Sequence, residues 1–328
     1  MRVLQIFIIA ILALAASPAQ AGAALIPLRV AYDGFSMTTA PMNYAQQTGI
    51  FAKHGLDVRL IYLEGGTTVT QALVGGSVDI VQNSYTSVAA ASVAGAGTVF
   101  IGGISNKLPF QLVVKPEIRT AADLRGKRIA ISRIGSSTDV AANYSLRHLG
   151  LARTDVTILQ LGGEGTRTAA MASGQIDGSF EQYPRTAELE AQGFRVLVDC
   201  LVVAGDYPNT SYASTRRFLA ANPDTAKRFM AAISEAIHEF KRTRAEGIRL
   251  TAAFLNSQPG PALEKAYDVF TRDVYPDPPR PSLAGIAIVL AELKATNPAA
   301  ARVRPADLVD TTALDALERE GFFARLNQ

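Results

Sequence analysis

Hydroxyls, glycines and one amide recur in a set of short loops along this 328-residue chain. The loops hold Phe35, Ser36 and Thr38; Gly66 and Thr67 within Gly65–Thr68; Asn83, Ser84 and Tyr85; Ser136, Ser137 and Thr138; and Gly165 with Thr166. Each follows a predicted strand, and three stand immediately before a predicted helix. Free N–H groups and hydroxyls at a helix start can hold an anion, helped by the helix dipole. Ser and Thr are also the preferred helix N-caps, so each loop can cap, bind, or do both.

Charged and aromatic candidates stand beside these loops. Arg133 follows the predicted strand 128–132, where a guanidinium would match a carboxylate or sulfonate through paired hydrogen bonds. Glu164 and Glu181 lie at strand ends and would suit a ligand amine or ring N–H. Tyr85 and Tyr183 occupy matching places and either sandwich a flat ligand or pack beneath the cleft wall.

Other chemistries find little support. His54, His148 and His238 are scattered through predicted helices without a Cys or carboxylate cluster at metal spacing. Cys200 is the only cysteine, which rules out an intramolecular disulfide; it ends an apolar run and reads as a small buried hydrophobe. Gly-x-Ser-x-Gly, His-Glu-x-x-His and the phosphate-loop motif are absent. The expectation is therefore a protein with no catalytic residue, metal site or cofactor. A formal net charge of +3, with no long basic run, offers no footprint for nucleic acid.

The elements that place these loops are betrayed by an internal repeat. Residues 57–80 and 155–178 align without a gap at an offset of 98, with nine identities that include Gly65/Gly163, Gly76/Gly174 and Asp79/Asp177. Each copy reads as strand, Gly/Thr turn, helix, Gly, strand, one βαβ unit. Two copies imply two α/β lobes with largely parallel sheets, whose ligand sites lie at the carboxyl ends of the strands. Gly65–Thr68 should then face 163–166 across a cleft. The copies differ where it matters for charge: Glu164 replaces Gly66, and Glu181 replaces Asn83. Selectivity is expected in the second copy. From about Thr215 the chain reads as helical, with a long amphipathic helix starting at Asn222-Pro223-Asp224.

The N-terminus reads as a secretory signal. Arg2 is followed by the apolar run Val3 to Ala16 and by Ala19-Gln20-Ala21, which predicts cleavage after Ala21 and a periplasmic location. The apolar run is too short to span a bilayer comfortably.

In order and spacing, several stretches resemble periplasmic solute-binding proteins of the nitrate/sulfonate/taurine transporter family, which also includes pyrimidine-precursor binders. They are Gly49 to Val58 with the Gly-Gly-Thr turn, Ala72 to Asp79, Asp123 to Ile129, Gly174 to Gly178 and Asp307 to Asp310. The resemblance covers essentially the whole mature chain. It implies an α/β, two-lobe periplasmic-binding-protein fold with two chain crossings, near Val113 and Ala204, and a ligand cleft between the lobes. One lobe would comprise 22–113 plus 205–328, the other 114–204. It further implies a monomer that closes on a small organic anion and delivers it to an inner-membrane ABC permease and its ATPase. Many relatives carry Trp-Glu-Pro where this chain has Gln182-Tyr183-Pro184, which puts taurine-like zwitterions in doubt. Alternatives are a heterocyclic or aromatic solute such as a pyrimidine precursor, a pyrimidine-precursor synthase-like enzyme, and a sensory binding module.

Overall fold

The computed structural model describes residues 24–328; the signal-peptide reading and its cleavage point lie outside them. Ten strands form two five-stranded sheets. The first contains β1 (Ile26–Tyr32), β2 (Leu56–Tyr62), β3 (Ile80–Ser84), β4 (Thr98–Ser105) and β10 (Thr210–Thr215), in the order β2-β1-β3-β10-β4. The second contains β5 (Gln111–Val114), β6 (Arg128–Ile131), β7 (Thr157–Gln160), β8 (Gly178–Glu181) and β9 (Arg195–Asp199), in the order β7-β6-β8-β5-β9.

The two orders are the same topology. In each sheet one strand, β10 or β5, runs against its neighbours, while the others are parallel. That strand is in each case the first after the chain changes sheet. A chain arriving from the other lobe enters at the cleft, beside the carboxyl ends of the parallel strands. It can only run away from the cleft, and so pairs antiparallel.

The repeat is exact at the level of elements. Helix Gly66–Val74 in the first copy answers helix Glu164–Ala172 in the second, each ending in a glycine with positive φ, Gly76 at +74° and Gly174 at +73°. The C-terminal region is helical as expected, and its long amphipathic helix runs Pro223–Arg242, packing Phe229, Ile233, Ile237 and Phe240 into the core of the first lobe. The first chain crossing falls earlier than the sequence placed it. Strand β5 pairs with β8 and β9 from Gln111 onward, so the chain has already changed sheet before Val113. Among the described residues no helix is long and apolar enough to cross a membrane.

Candidate functional site

The carboxyl ends of β1, β3, β6, β7 and β8 converge between the lobes, with the start of β10 closing one side. Two adjoining compartments result. The inner one is polar, about 50 Å³, and is lined by Asp33, Ser36, Thr38, Ser84, Ser132, Ser137, Thr138, Glu164, Arg167, Gln182, Asn209 and Thr210, among others. The outer one is about 270 Å³ and aromatic-walled, with Phe35, Tyr62, Tyr183 and Phe254 beside Glu164, Arg185 and Glu188. Gly34 and Glu164 belong to both, so the compartments form one continuous cleft.

The lobes touch across its rim. Glu64, at the end of the first lobe's β2, accepts a short hydrogen bond from the Gly163 N–H of the second and a longer one, 3.4 Å, from the Thr166 hydroxyl. Ser87 donates to the Gly135 carbonyl at 3.0 Å. The side chain of Arg133 lies against Gly65, where a β-carbon would begin 3.0 Å from Arg133 Cγ. Gly65 also needs its φ of +87°, which glycine adopts without strain.

The predicted loop residues divide into two groups. Ser36, Thr38, Ser84, Ser137, Thr138 and Glu164 line the inner compartment, and Phe35 and Tyr183 the outer. Gly66, Thr67, Asn83, Tyr85, Arg133, Ser136 and Glu181 line neither. Asn83 is a brace: its amide donates to the Gly66 carbonyl at 2.5 Å and to Thr70 at 2.7 Å, tying β3 to the helix beside it. Gly66 has no space for a side chain, because a β-carbon there would sit 2.6 Å from Asn83 Oδ1. Thr67 approaches Gly135 of the other lobe. Ser136 caps helix Ser137–His148 and donates to the Arg133 carbonyl at 2.7 Å.

Tyr85 must be corrected. It is 0% exposed, its ring packs on Phe100 with centroids 4.6 Å apart, and burial pushes its phenol well above the ordinary range. It turns beneath the sheet because helix Tyr85–Val93 begins directly at the end of β3. In the second copy Pro184 intervenes and the helix starts at Arg185, leaving Tyr183 in the cleft mouth. The two rings therefore form no sandwich.

The sequence reading missed Arg167, Asp33, Gln182 and Asn209. Arg167 is 4% exposed, and each of its hydrogen-bonding nitrogens already has a partner. It donates to the Gly162 carbonyl at 2.6 Å, the Phe180 carbonyl at 2.9 Å and the Ser179 hydroxyl at 3.2 Å, and its Nε lies 3.5 Å from Glu181 Oε1. Glu181 is 0% exposed; burial pushes its carboxyl up and Arg167 pulls it back. Glu164 lies beside it, and burial followed by the charge of Glu181 pushes the Glu164 carboxyl up to about 8. Asp33, at the end of β1, is pushed up to about 6 by burial, opposed by a backbone hydrogen bond and by Arg167. Two residues lining the inner compartment carry a buried amide oxygen without a partner, Gln182 Oε1 on a residue 7% exposed and Asn209 Oδ1 on one 2% exposed. Buried polar groups are normally hydrogen-bonded, to protein or to ordered water, so these two are exceptions beside the cleft.

The remaining candidates settle as structural. Cys200 is fully buried against Ser145, with its thiol pushed up to about 12 by burial. His54 meets Glu235 at 2.8 Å, and His238 lies 3.6 Å from Asp277, both outside the cleft.

Two similar lobes, two crossings and a cleft at the strand ends define a periplasmic-binding-protein fold. Residues 36–243 match the NMT1/THI5-like family, and the chain belongs to it. It is 31% identical over 234 residues to the taurine-binding periplasmic protein of Escherichia coli K12, covering 70% of each chain. It is 29% identical over 251 residues to a putative binding protein of Brucella abortus, covering 74% of this chain and 76% of the relative. The alkanesulfonate-binding protein of Xanthomonas axonopodis pv. citri, solved with MOPS, superposes with a TM-score of 0.69 at 25% identity, over 89% of this chain and 98% of that one. One relative is an enzyme, the 4-amino-5-hydroxymethyl-2-methylpyrimidine phosphate synthase of Aspergillus parasiticus, 26% identical over 214 residues, 60% of this chain and 61% of the relative. Together these similarities support a solute-binding role.

Proposed function

We propose that this protein is the solute-binding component of an ABC importer. It works as a monomer in the periplasm after removal of its signal peptide, closes on one small solute, and delivers it to an inner-membrane permease and its ATPase. In this reading the first lobe comprises residues up to the crossing before Gln111 together with about 205–328, and the second lobe the strands between. The observation that carries the proposal is the cleft itself. Identical sheet topologies direct their strand ends at one polar compartment, whose lining residues Gln182 and Asn209 each carry a buried amide oxygen without a partner.

Binding without turnover is the proposed activity. A thermal-shift screen across small metabolites tests it, since a solute that binds only the native state raises the unfolding midpoint. At 100 times its dissociation constant a solute adds roughly 2.7 kcal/mol. The proposal requires at least one stabilising solute that is recovered chemically unchanged after incubation. A screen with no stabilising solute, or recovery of a converted product, would sink it.

A further inference from the structure

The cleft has seats for charge, and the chain's own side chains already fill those meant for an anion. At the start of helix Gly66–Val74, Asp33 Oδ2 lies 3.1 Å from where a Gly66 side chain would begin. At the start of helix Glu164–Ala172, Glu64 takes the Gly163 N–H from the other lobe. At the start of helix Ser137–His148, Asp139 accepts from the Gly135 N–H at 2.9 Å. A helix N-terminus that already holds a carboxylate has lost its attraction for a second anion.

Cations are few on the inner wall. Among the described residues lining the inner compartment, Arg167 is the only cation; it donates to Gly162, Phe180 and Ser179 and sits beside Glu181, while Arg185 on the outer wall pairs with Glu188 and keeps an Nε without a partner. Arg133 lies across Gly65 and lines neither compartment. Acceptors, by contrast, are in surplus. The carboxyls of Asp33 and Glu164 line the compartment, as do Gln182 and Asn209 with their unpartnered oxygens.

Building on its reading as a solute receptor, we propose that this cleft takes an organic cation. A protonated amine or amidinium would sit in the inner compartment against Asp33 and Glu164, with a flat apolar body against Phe35, Tyr62 and Phe254. The shared lining of Gly34 and Glu164 gives such a molecule its shape, since a head in one compartment leaves its body in the other. The Phe35 ring centroid lies 4.8 Å from that of Tyr62 and 5.2 Å from that of Phe254, each pair tilted by 45°, so the outer wall is an aromatic cluster. The relatives named for taurine and alkanesulfonates take ligands with an acidic group, and this cleft would select against a solute bearing only that.

A cation beside Glu164 also favours that carboxyl's ionised form. The charged groups around it are Glu181, Arg167 and Arg185, with Asp33 on the same compartment. Binding should therefore release a proton near neutral pH and tighten as pH rises from about 6 to 8, by at most about tenfold per pH unit.

Benzamidine, benzoate and benzenesulfonate share one ring and differ in head charge, so calorimetry with the full mature chain tests the proposal directly. Benzamidine is expected to bind with a buffer-dependent heat that reports proton release, and the two anions to be silent. Glu164→Gln should weaken benzamidine at least tenfold and cut the proton release at pH 7.5, where Asp33 is already ionised, with an unchanged circular dichroism spectrum. Silence of benzamidine, or binding of benzoate or benzenesulfonate at equal or higher affinity, overturns the cation assignment. The receptor reading survives that result if any solute of the wider screen stabilises the protein, and falls only if none does.

Discussion

In the first lobe, Arg29 reaches across to Asp79, 2.6 Å between Nη2 and Oδ1, and to the Gly76 carbonyl at 3.2 Å. In the second, Arg128 reaches Asp177 through Nε at 3.0 Å and the Gly174 carbonyl at 3.0 Å. The same clamp thus fastens the helix-to-strand step in both copies, far from the cleft. Toward the cleft the copies part. The first buries Val69 and an Asn83 that braces its own helix; at the matching positions the second buries Arg167 and Glu181. Duplication kept the clamp, which is structural, and recharged the side toward the cleft.

That contrast can be broken most severely at Arg167. Arg167→Met should cost about 3–5 kcal/mol in denaturant unfolding, because it strands Glu181 as a buried charge without its partner. A cost no larger than that of an exposed ion pair would mean that Glu181 is already neutral in the folded protein.

The second clamp should be the stronger, because Asp177 also accepts from Lys115 at 2.7 Å. Asp79→Asn and Asp177→Asn are each expected to cost about 1–2 kcal/mol, discounted for the half-exposed arginines. The pH behaviour of Asp177 follows from Arg128, helped by Lys115, which together hold its carboxyl well below the usual range. A carboxyl depressed by folding contributes stability above its unfolded value of about 4 and loses it only as pH falls further. Denaturation at pH 7 and pH 3 checks this: the wild type should lose the Asp177 contribution in acid, and Asp177→Asn should have less to lose.

Glu164 has the opposite sign. A carboxyl raised by burial holds its proton more tightly when folded, so its share of stability is full in acid and declines as pH climbs toward about 8. The solute-free midpoint of the wild type should therefore fall between pH 5 and pH 8 more than that of Glu164→Gln. Identical slopes would place Glu164 in water. The smallest effect is expected at Tyr85→Phe, within about 1 kcal/mol of wild type, because its buried hydroxyl has no side-chain partner to lose. Solute affinity should be untouched by that change and weakened by Tyr183→Ala; the reverse would restore Tyr85 to the cleft.

Much of this plan was legible because backbone periodicity survives duplication. The offset of 98 located helices Gly66–Val74 and Glu164–Ala172 and predicted that their starts would face a cleft. The clamp residues Asp79 and Asp177 were visible as identities, but their partners were not, since Arg29 and Arg128 are separated by one residue more than the offset. Arg167 reads as an ordinary helix-face arginine. Its signal was its match to Val69, a position whose counterpart is fully buried. Phe254 had no local signal: it reaches the cleft from helix Arg244–Leu255, remote in sequence from every loop it joins. The first crossing was misplaced because β5 continues an extended apolar stretch, and hydropathy alone does not say which sheet a strand joins.

Glu64 carries a consequence for the proposed receptor role. Its contact with Gly163 joins the lobes using only the protein's own atoms. Part of the free energy of shutting is then present with no cargo aboard, and a solute supplies only the remainder. In that proposed role the protein would spend some of its time shut and empty, competing with loaded copies for the proposed permease. Shutting alone then carries little information about what was caught, and the burden of discrimination falls on the chemistry inside the cleft.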